Sequence, residues 1–403
     1  MRAFWLLTGA SAVSTVGNTF LYIAIPWALL ESTDSSLLAV LSVAAQTAPY
    51  LAAPFLGTFI DRYDRRALFA AGELIQGASV ALVPLLLAYQ QVAAVFVALF
   101  VLGLANVVSD VAGDYGLIPA LVPRERLDQA SSQFTSILLV ARFVGPALAG
   151  FTIAGIGTTW ALEIDAATFV LTALTVVFMP KAEPQAVTAS LSAMLKEGIA
   201  YFRARPDLRR LTFAVALYNL GAGALEPTLL TVGGDHWDWS PTALGAAVSC
   251  GAVAAALGAW LSPRALSGDN RHRQIALWLA VAAVGSLGLL VSAPLAVVAG
   301  FCVLCFGEGG VNAATMAYRQ QEIPDELSGR VNAVIRTFIT GAVPVSALML
   351  GLTVNLTGSL QVFFPVSAAA LLAVAVWTFR RRTAPAHPAD RHPLATSTSR
   401  NSS

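Results

Sequence analysis

Long apolar runs, broken by short polar stretches, fill most of the 403-residue chain. Crossing a hydrocarbon layer of about 30 Å takes about 20 mostly apolar residues in a helix. Runs of that kind cover roughly 4–30, 37–60, 67–88, 93–117, 132–155 and 161–179, then 211–232, 242–262, 274–291, 295–317, 332–355 and 361–379. Lipid offers no water to backbone polar groups, so each run must pair them within itself and is predicted to be a helix. Twelve crossings return the chain to the side it started from. The first run, Phe4 to Leu30, is too long for a signal-peptide core and ends in Pro26, Trp27 and a polar loop, so it is read as a retained span.

Composition agrees with this pattern. Only 12% of residues are charged and the mean hydropathy is +0.70, against roughly 25% charged in soluble domains. The position of charge is more telling than its total of +1. With the N-terminus inside, 22 of the 24 Lys and Arg fall in inside segments, including Arg124 and Arg126, Lys181 to Arg210, and Arg380 to Arg400. The other two, Arg142 and Arg336, lie within spans, and the outside loops hold none. This asymmetry places both termini in the cytoplasm and the chain in the plasma (inner) membrane. The eight Trp fall near span ends, where interfacial anchors belong.

The chain also repeats itself. Asn18 and Pro26 recur as Asn219 and Pro227, Gly57 as Gly258, and Val122-Pro123-Arg124-Glu125 as Ile323-Pro324-Asp325-Glu326, all 201 residues on. Two six-helix halves in parallel orientation follow, with boundaries at 1–180 and 211–382. Between them, Leu191, Met194, Leu195, Ile199 and Phe202 recur at helical spacing, so 181–210 is read as a cytoplasmic linker with an amphipathic helix. The tail, 383–403, is rich in Pro, Ser and Thr and is expected to be disordered.

Gly57-Thr58-Phe59-Ile60-Asp61-Arg62-Tyr63-Asp64-Arg65-Arg66 lies between the second and third spans. It resembles the G-x-x-x-D-R-x-G-R-R loop of the major facilitator superfamily, with Asp64 in place of a Gly. Asp-Arg-x-x-Arg-Arg is similar to the branch of macrolide efflux proteins and the enterobactin exporter. So are Val122 to Leu127, Ile323 to Arg330, and Asp165-Ala166-Ala167-Thr168-Phe169. The resemblance implies an all-α polytopic fold of 12 transmembrane helices in two six-helix halves, and a small-molecule cargo. It also implies a conformational latch of Gly57, Asp61, Arg62, Arg65 and Arg66 against helix eleven, near Asn332; a carboxylate at a helix N-terminus supplies the attraction. Otherwise these arginines only fix topology. Arg142-Phe143-Val144-Gly145-Pro146-Ala147-Leu148-Ala149-Gly150 resembles the helix-five element of drug:proton antiporters. Gly145, Pro146 and Gly150 suit close helix packing and a bend.

A charge at mid-bilayer costs about 2.5–3.5 kcal/mol or more, so each needs a reason. Asp110 and Asp114 share a face of span four, and Arg142 in span five matches Asp110 in depth. That pair is either a static tie between helices or a proton-sensitive switch. Glu226 beside Pro227, and Glu308 between Gly307 and Gly309, are candidates for contact with cargo or proton, or else interhelical hydrogen bonds. Asn18, Tyr22, Asn106, Asn219 and Asn312, on spans one, four, seven and ten, are candidate cavity lining. Glu73 in span three is read as packing.

Other chemistries lack their residues. Cys302-x-x-Cys305 has no second ligand pair, no His lies in a span, and the three Cys sit in apolar runs. There is no Walker phosphate loop. No metal or cofactor is expected, and nucleic acid is not a partner. The reading is a monomeric secondary transporter that exports an amphipathic molecule (antibiotic, secondary metabolite or siderophore) against inward proton flow. Span four lacks the arginine usual in drug:proton antiporters. Uptake or lipid flipping on the same fold, a membrane-embedded enzyme, and a non-transporting scaffold or sensor are the alternatives.

Overall fold

The computed structural model describes residues 2–52, 56, 63–112, 122, 127–178, 191–265, 271–291, 293–357, 359 and 362–380. Among them there is no strand. The first half contains α1 (Arg2–Thr33), α2 (Ser36–Thr47) continued by a 3-10 turn (Ala48–Ala52), α3 (Arg65–Ala88), α4 (Val92–Ala112), α5 (Leu127–Ile156) and α6 (Thr158–Val177). A connecting helix follows, α7 (Leu191–Ala204). The second half contains α8 (Pro206–Ala222), α9 (Leu225–Trp237), α10 (Pro241–Ala265), α11 (Arg271–Gly288), α12 (Pro294–Glu322), α13 (Asp325–Thr357) and α14 (Phe363–Arg380). Among the described residues, nine segments are long and apolar enough to cross a membrane, Pro206–Gly234 counting as one. Shorter apolar helices at Ser36–Ala52, Arg273–Gly288 and Phe363–Thr378 stand where spans two, nine and twelve are predicted.

Local chemistry accounts for several boundaries. Ser35 caps α2, its side chain accepting from Leu38 N at 3.3 Å. Pro49 cannot donate a backbone hydrogen bond, and the helix tightens there into the 3-10 turn. Asp64, the departure from the loop pattern, caps α3 by accepting from Arg66 N at 3.0 Å.

Each half packs in the same way. α1 lies against α5 and α6, α3 against α4 and α6, and α2 against α4. The second half repeats this with α8 against α13 and α14, α11 against α12 and α14, and α10 against α12. Close approach of α10 and α12 depends on two glycines: a Cβ at Gly258 would run into the Phe306 carbonyl, and one at Gly309 into that of Ala255.

The halves meet at the end away from the chain termini, and again where the 3-10 turn packs on α13 with Leu51 against Gly341. Trp27 of α1 lies against Gly234 of α9, Leu37 and Leu41 of α2 against Gly351 of α13, and Gly150 of α5 against Pro241 and Thr242 of α10. α7 is tied to the second half instead. Phe202 stacks on Phe338 at 5.7 Å, Tyr201 Oη donates to the Glu322 carbonyl at 2.6 Å, and Arg330 pairs with Glu197. Ile199, assigned by periodicity to the apolar face of this helix, is exposed; Gly198 and Phe202 form the buried edge. The predicted tail and residues 181–190 lie outside the described residues.

Candidate functional site

The seventh crossing is where backbone and chemistry meet. Pro227 has no N–H for the Gly223 carbonyl, and the helix parts there into α8 and α9. Neighbouring side chains engage the break. Ala224 N donates to Ser346 Oγ at 3.1 Å, and Asn219 Nδ2 donates to the Ile339 carbonyl at 2.8 Å, both on α13. A Cβ at Gly223 would press on Val343 Cα of α13, so the small residue permits this approach. Glu226 stands in the first turn of α9, within electrostatic reach of Glu308 on α12. Glu308 Oε2 accepts from Tyr218 Oη at 3.5 Å, and its carboxylate also bonds the Asn312 side chain.

Tyr22 of α1 faces this acid from the other half. Its side chain is 43% exposed and lies within electrostatic reach of Glu226, Arg142 and Asp110. Four helices from both halves thus bring an aromatic hydroxyl, one cation and two carboxylates to one interior region. Beside it the halves are bridged directly. Arg336 Nη2 of α13 donates to Asp110 Oδ2 of α4 at 2.9 Å, and Tyr50 Oη donates to the same oxygen at 2.7 Å. The guanidinium lies 5.2 Å from the centre of the Tyr50 ring. Asp110 and Arg336 side chains are each 34% exposed, so water partly screens the pair.

This corrects one expectation. Arg142 was matched to Asp110 by depth, yet Asp110 pairs with Arg336 of the opposite half, and Arg142 is exposed beside Tyr22. Depth along a span carries no information about azimuth or about the other half, and the partner is Arg336, the other arginine within a span. Asn219, expected to line a cavity, staples the helix break to α13. Asn18 and Asn106 are half-buried and Asn312 is exposed. In the helix-five element, Gly145 lies against Thr19 of α1, and the Pro146 carbonyl against Gly245 of α10.

Of the latch residues, Gly57, Asp61 and Arg62 lie outside the described residues, as does Asp114. Arg65 and Arg66 open α3, and Arg66 Nη1 donates to the Val177 carbonyl at the end of α6, 3.2 Å away. Tyr50 and the buried polar group around Glu73 and Asp165 were not foreseen as chemistry. Among the described residues, no three His, Cys, Asp or Glu gather in a way that could hold a metal.

With this geometry in view, comparison with known proteins is direct. The family model described as Major Facilitator Superfamily matches residues 7–347 and 211–400. The Multidrug efflux pump Tap of Mycolicibacterium fortuitum is 27% identical over 399 residues, covering 94% of this chain and 95% of that protein. Macrolide efflux protein A of Streptococcus pyogenes is 21% identical over 386 residues, covering 93% and 94%. Among solved structures, a bacterial homologue of the iron transporter ferroportin in its inward-facing state matches with a TM-score of 0.71 at 17% identity, covering 94% of this chain and 98% of that one. The fold, the repeated halves and these matches agree: the chain is a multi-pass membrane transporter and belongs to the Major Facilitator Superfamily.

Proposed function

We propose that this transporter exports a small amphipathic molecule against an inward flow of protons, by alternating access of one site between its halves. The observation that carries the reading is the set Tyr22, Arg142, Asp110 and Glu226, gathered from both halves, next to an Arg336–Asp110 bridge between those halves. A site built this way is remade whenever the halves rock, and its charges have to be matched by cargo or by protons as they part. With both termini cytoplasmic, the contacts of Trp27, Leu37 and Gly150 join the halves on the outer side, as an inward-facing state requires. Cargo would enter from the inner side, between Tyr22 and Glu226. The names of the efflux relatives favour export over uptake.

The test is accumulation of antibiotics and siderophores in a susceptible host stripped of its main efflux pumps. Wild type is expected to lower accumulation of at least one compound. An uncoupler, Glu308→Gln or Asp61→Asn at equal expression is expected to abolish that. Uncoupler-resistant export would remove the proton, and uptake into the expressing cells would reverse the direction.

A further inference from the structure

We infer that Glu73 and Asp165 form a proton-binding site inside the N-terminal half, worked by α1 and separate from the acids of the central cavity. The inference rests on the proton-coupled reading above and names where the proton sits.

Glu73 is 3% exposed and Asp165 is fully buried. Glu73 Oε2 accepts from Ser14 Oγ of α1 at 3.0 Å, and its Oε1 from Gln76 Nε2 at 3.4 Å. Gln76 Nε2 also donates to Ser109 Oγ of α4 at 3.1 Å. Asp165 Oδ1 lies against Gly17 of α1 and accepts from Thr168 Oγ1 at 3.4 Å. Its Oδ2 has no hydrogen-bond partner among the described residues. The two carboxyls are within electrostatic reach of each other.

Among the described residues, the charged groups that face this pair are all acids. Glu73 meets Ser14 from α1, Ser109 and Asp110 from α4, and Asp165 from α6. Asp165 meets Gly17 from α1 and Glu73 from α3. Of the cations placed within spans, Arg142 is beside Tyr22 and Arg336 is bonded to Asp110. Two buried anions with no counter-ion among the described residues are too costly to coexist, so a proton neutralises at least one. On loading, a proton from water bonds to one carboxylate oxygen and cancels one negative charge. On release, that O–H bond breaks and the proton returns to water.

The repeat argues that Glu73 is not required for packing. The equivalent position 201 residues on is Gln274. Gln274 is equally buried and satisfies itself by donating to the Ser262 carbonyl. α1 supplies the coupling. It carries Ser14 and Gly17 at the acids, Tyr22 within electrostatic reach of Glu226 and Trp27 at the contact between halves. A shift of α1 during rocking therefore changes the donors and the space at the carboxyls.

The test uses the purified full chain in lipid, titrated with pH while the infrared stretch of protonated carboxyls is recorded. A titrating band is expected in wild type, lost in Glu73→Gln and in Asp165→Asn, and retained in Glu226→Gln. A titration unchanged in both variants overturns the site. Loss of the signal when sodium replaces choline overturns it in favour of a metal cation. If the variants fail to fold, wild type treated with dicyclohexylcarbodiimide, which adds to protonated buried carboxyls, decides by peptide mass spectrometry. An adduct on Glu73 or Asp165 supports the site, and adducts confined to other acids count against it. In vesicles with ethidium as probe, a gradient of about one pH unit is worth about tenfold accumulation per proton. The variants are expected to lose that accumulation yet keep gradient-free dye exchange, and variants that still concentrate the dye overturn the coupling role. If wild type moves no dye, the export reading loses that support while the infrared titration still decides the site.

Discussion

Asn18 and Pro26 of α1 recur 201 residues on as Asn219 and Pro227, yet α1 runs unbroken from Arg2 to Thr33 and its counterpart parts into α8 and α9. The position equivalent to Gly223, where the second copy breaks, is Tyr22 in the first. A glycine lets α13 approach closely enough for Ser346 and Asn219 to engage the opened backbone. A tyrosine points its ring out and leaves the helix whole. The proline is therefore permissive, and its neighbours decide whether the helix opens. The acids divide in the same manner. The second half places Glu226 and Glu308 by the break, whereas the first buries Glu73 and Asp165 behind α1. One fold, copied, sets its acids at a helix break in one half and between packed helices in the other.

The contrast is broken most severely where the halves are joined. Removing one partner of a charge pair costs about 2–5 kcal/mol when the other is left buried, and less when water reaches it, as here. Arg336→Gln is expected to reduce uphill export in inverted vesicles by about tenfold or more, which corresponds to about 1.4 kcal/mol. Asp110→Arg combined with Arg336→Asp is expected to recover part of it. A single variant with wild-type transport would mean that the bridge plays no part in the cycle.

The prolines sharpen the comparison more locally. Pro227→Ala returns an N–H to the Gly223 carbonyl and favours closing α8 onto α9, which would carry Glu226 away from Tyr22. Export is expected to fall several-fold, while Pro26→Ala in the already continuous α1 changes it little. Equal effects at the two sites, measured at matched expression, would show that the break is not what positions Glu226. Packing gives a third contrast, read by thermal unfolding. Gly309→Ala would drive a Cβ into the Ala255 carbonyl and is expected to cost about 1–3 kcal/mol. Gly9→Ala meets nothing within 4 Å and is expected to be neutral or to stabilise by about 0.5–1 kcal/mol.

Hydropathy alone located the crossings, because a span must be long and apolar whatever its neighbours are. Even the shorter apolar helices at Ser36–Ala52, Arg273–Gly288 and Phe363–Thr378 stood out as runs. The site was less legible. Asp110 was recognised as a buried charge but given the wrong arginine, since its partner lies 226 residues away across the halves. Glu73 was read as packing, and its neighbour Asp165 lies on another helix that no periodicity connects to it. The break at Gly223 had a visible signal in Glu226-Pro227, but Asn219 looked like cavity lining until α13 was seen beside it. What depends on one helix could be read from one stretch of sequence. What depends on the azimuth of two could not.

The smallest expected effect concerns α7, which belongs to neither copy and has no counterpart in the repeat. It is held to the second half by Arg330–Glu197 and by Phe202 on Phe338, and at its junction with α8 the cap residue Arg205 pairs with Glu322 at 2.6 Å. Arg205 and Glu322 side chains are 46% and 32% exposed, so water and salt screen their attraction. Such pairs contribute about 0.2–1 kcal/mol. Arg205→Gln is accordingly expected to lower thermal stability only slightly, and the difference should vanish in high salt. Phe202→Ala removes a buried ring instead, and a fully buried Phe lost to Ala costs about 3–5 kcal/mol. Hydrogen exchange is the measurement that separates the two. After Arg205→Gln the amides of α7 should stay as protected as those at the start of α13, and after Phe202→Ala they should open independently of α13. If the arginine variant alone released α7, the connection would be held by charge rather than by its apolar edge, and its grip on the second half would weaken with ionic strength.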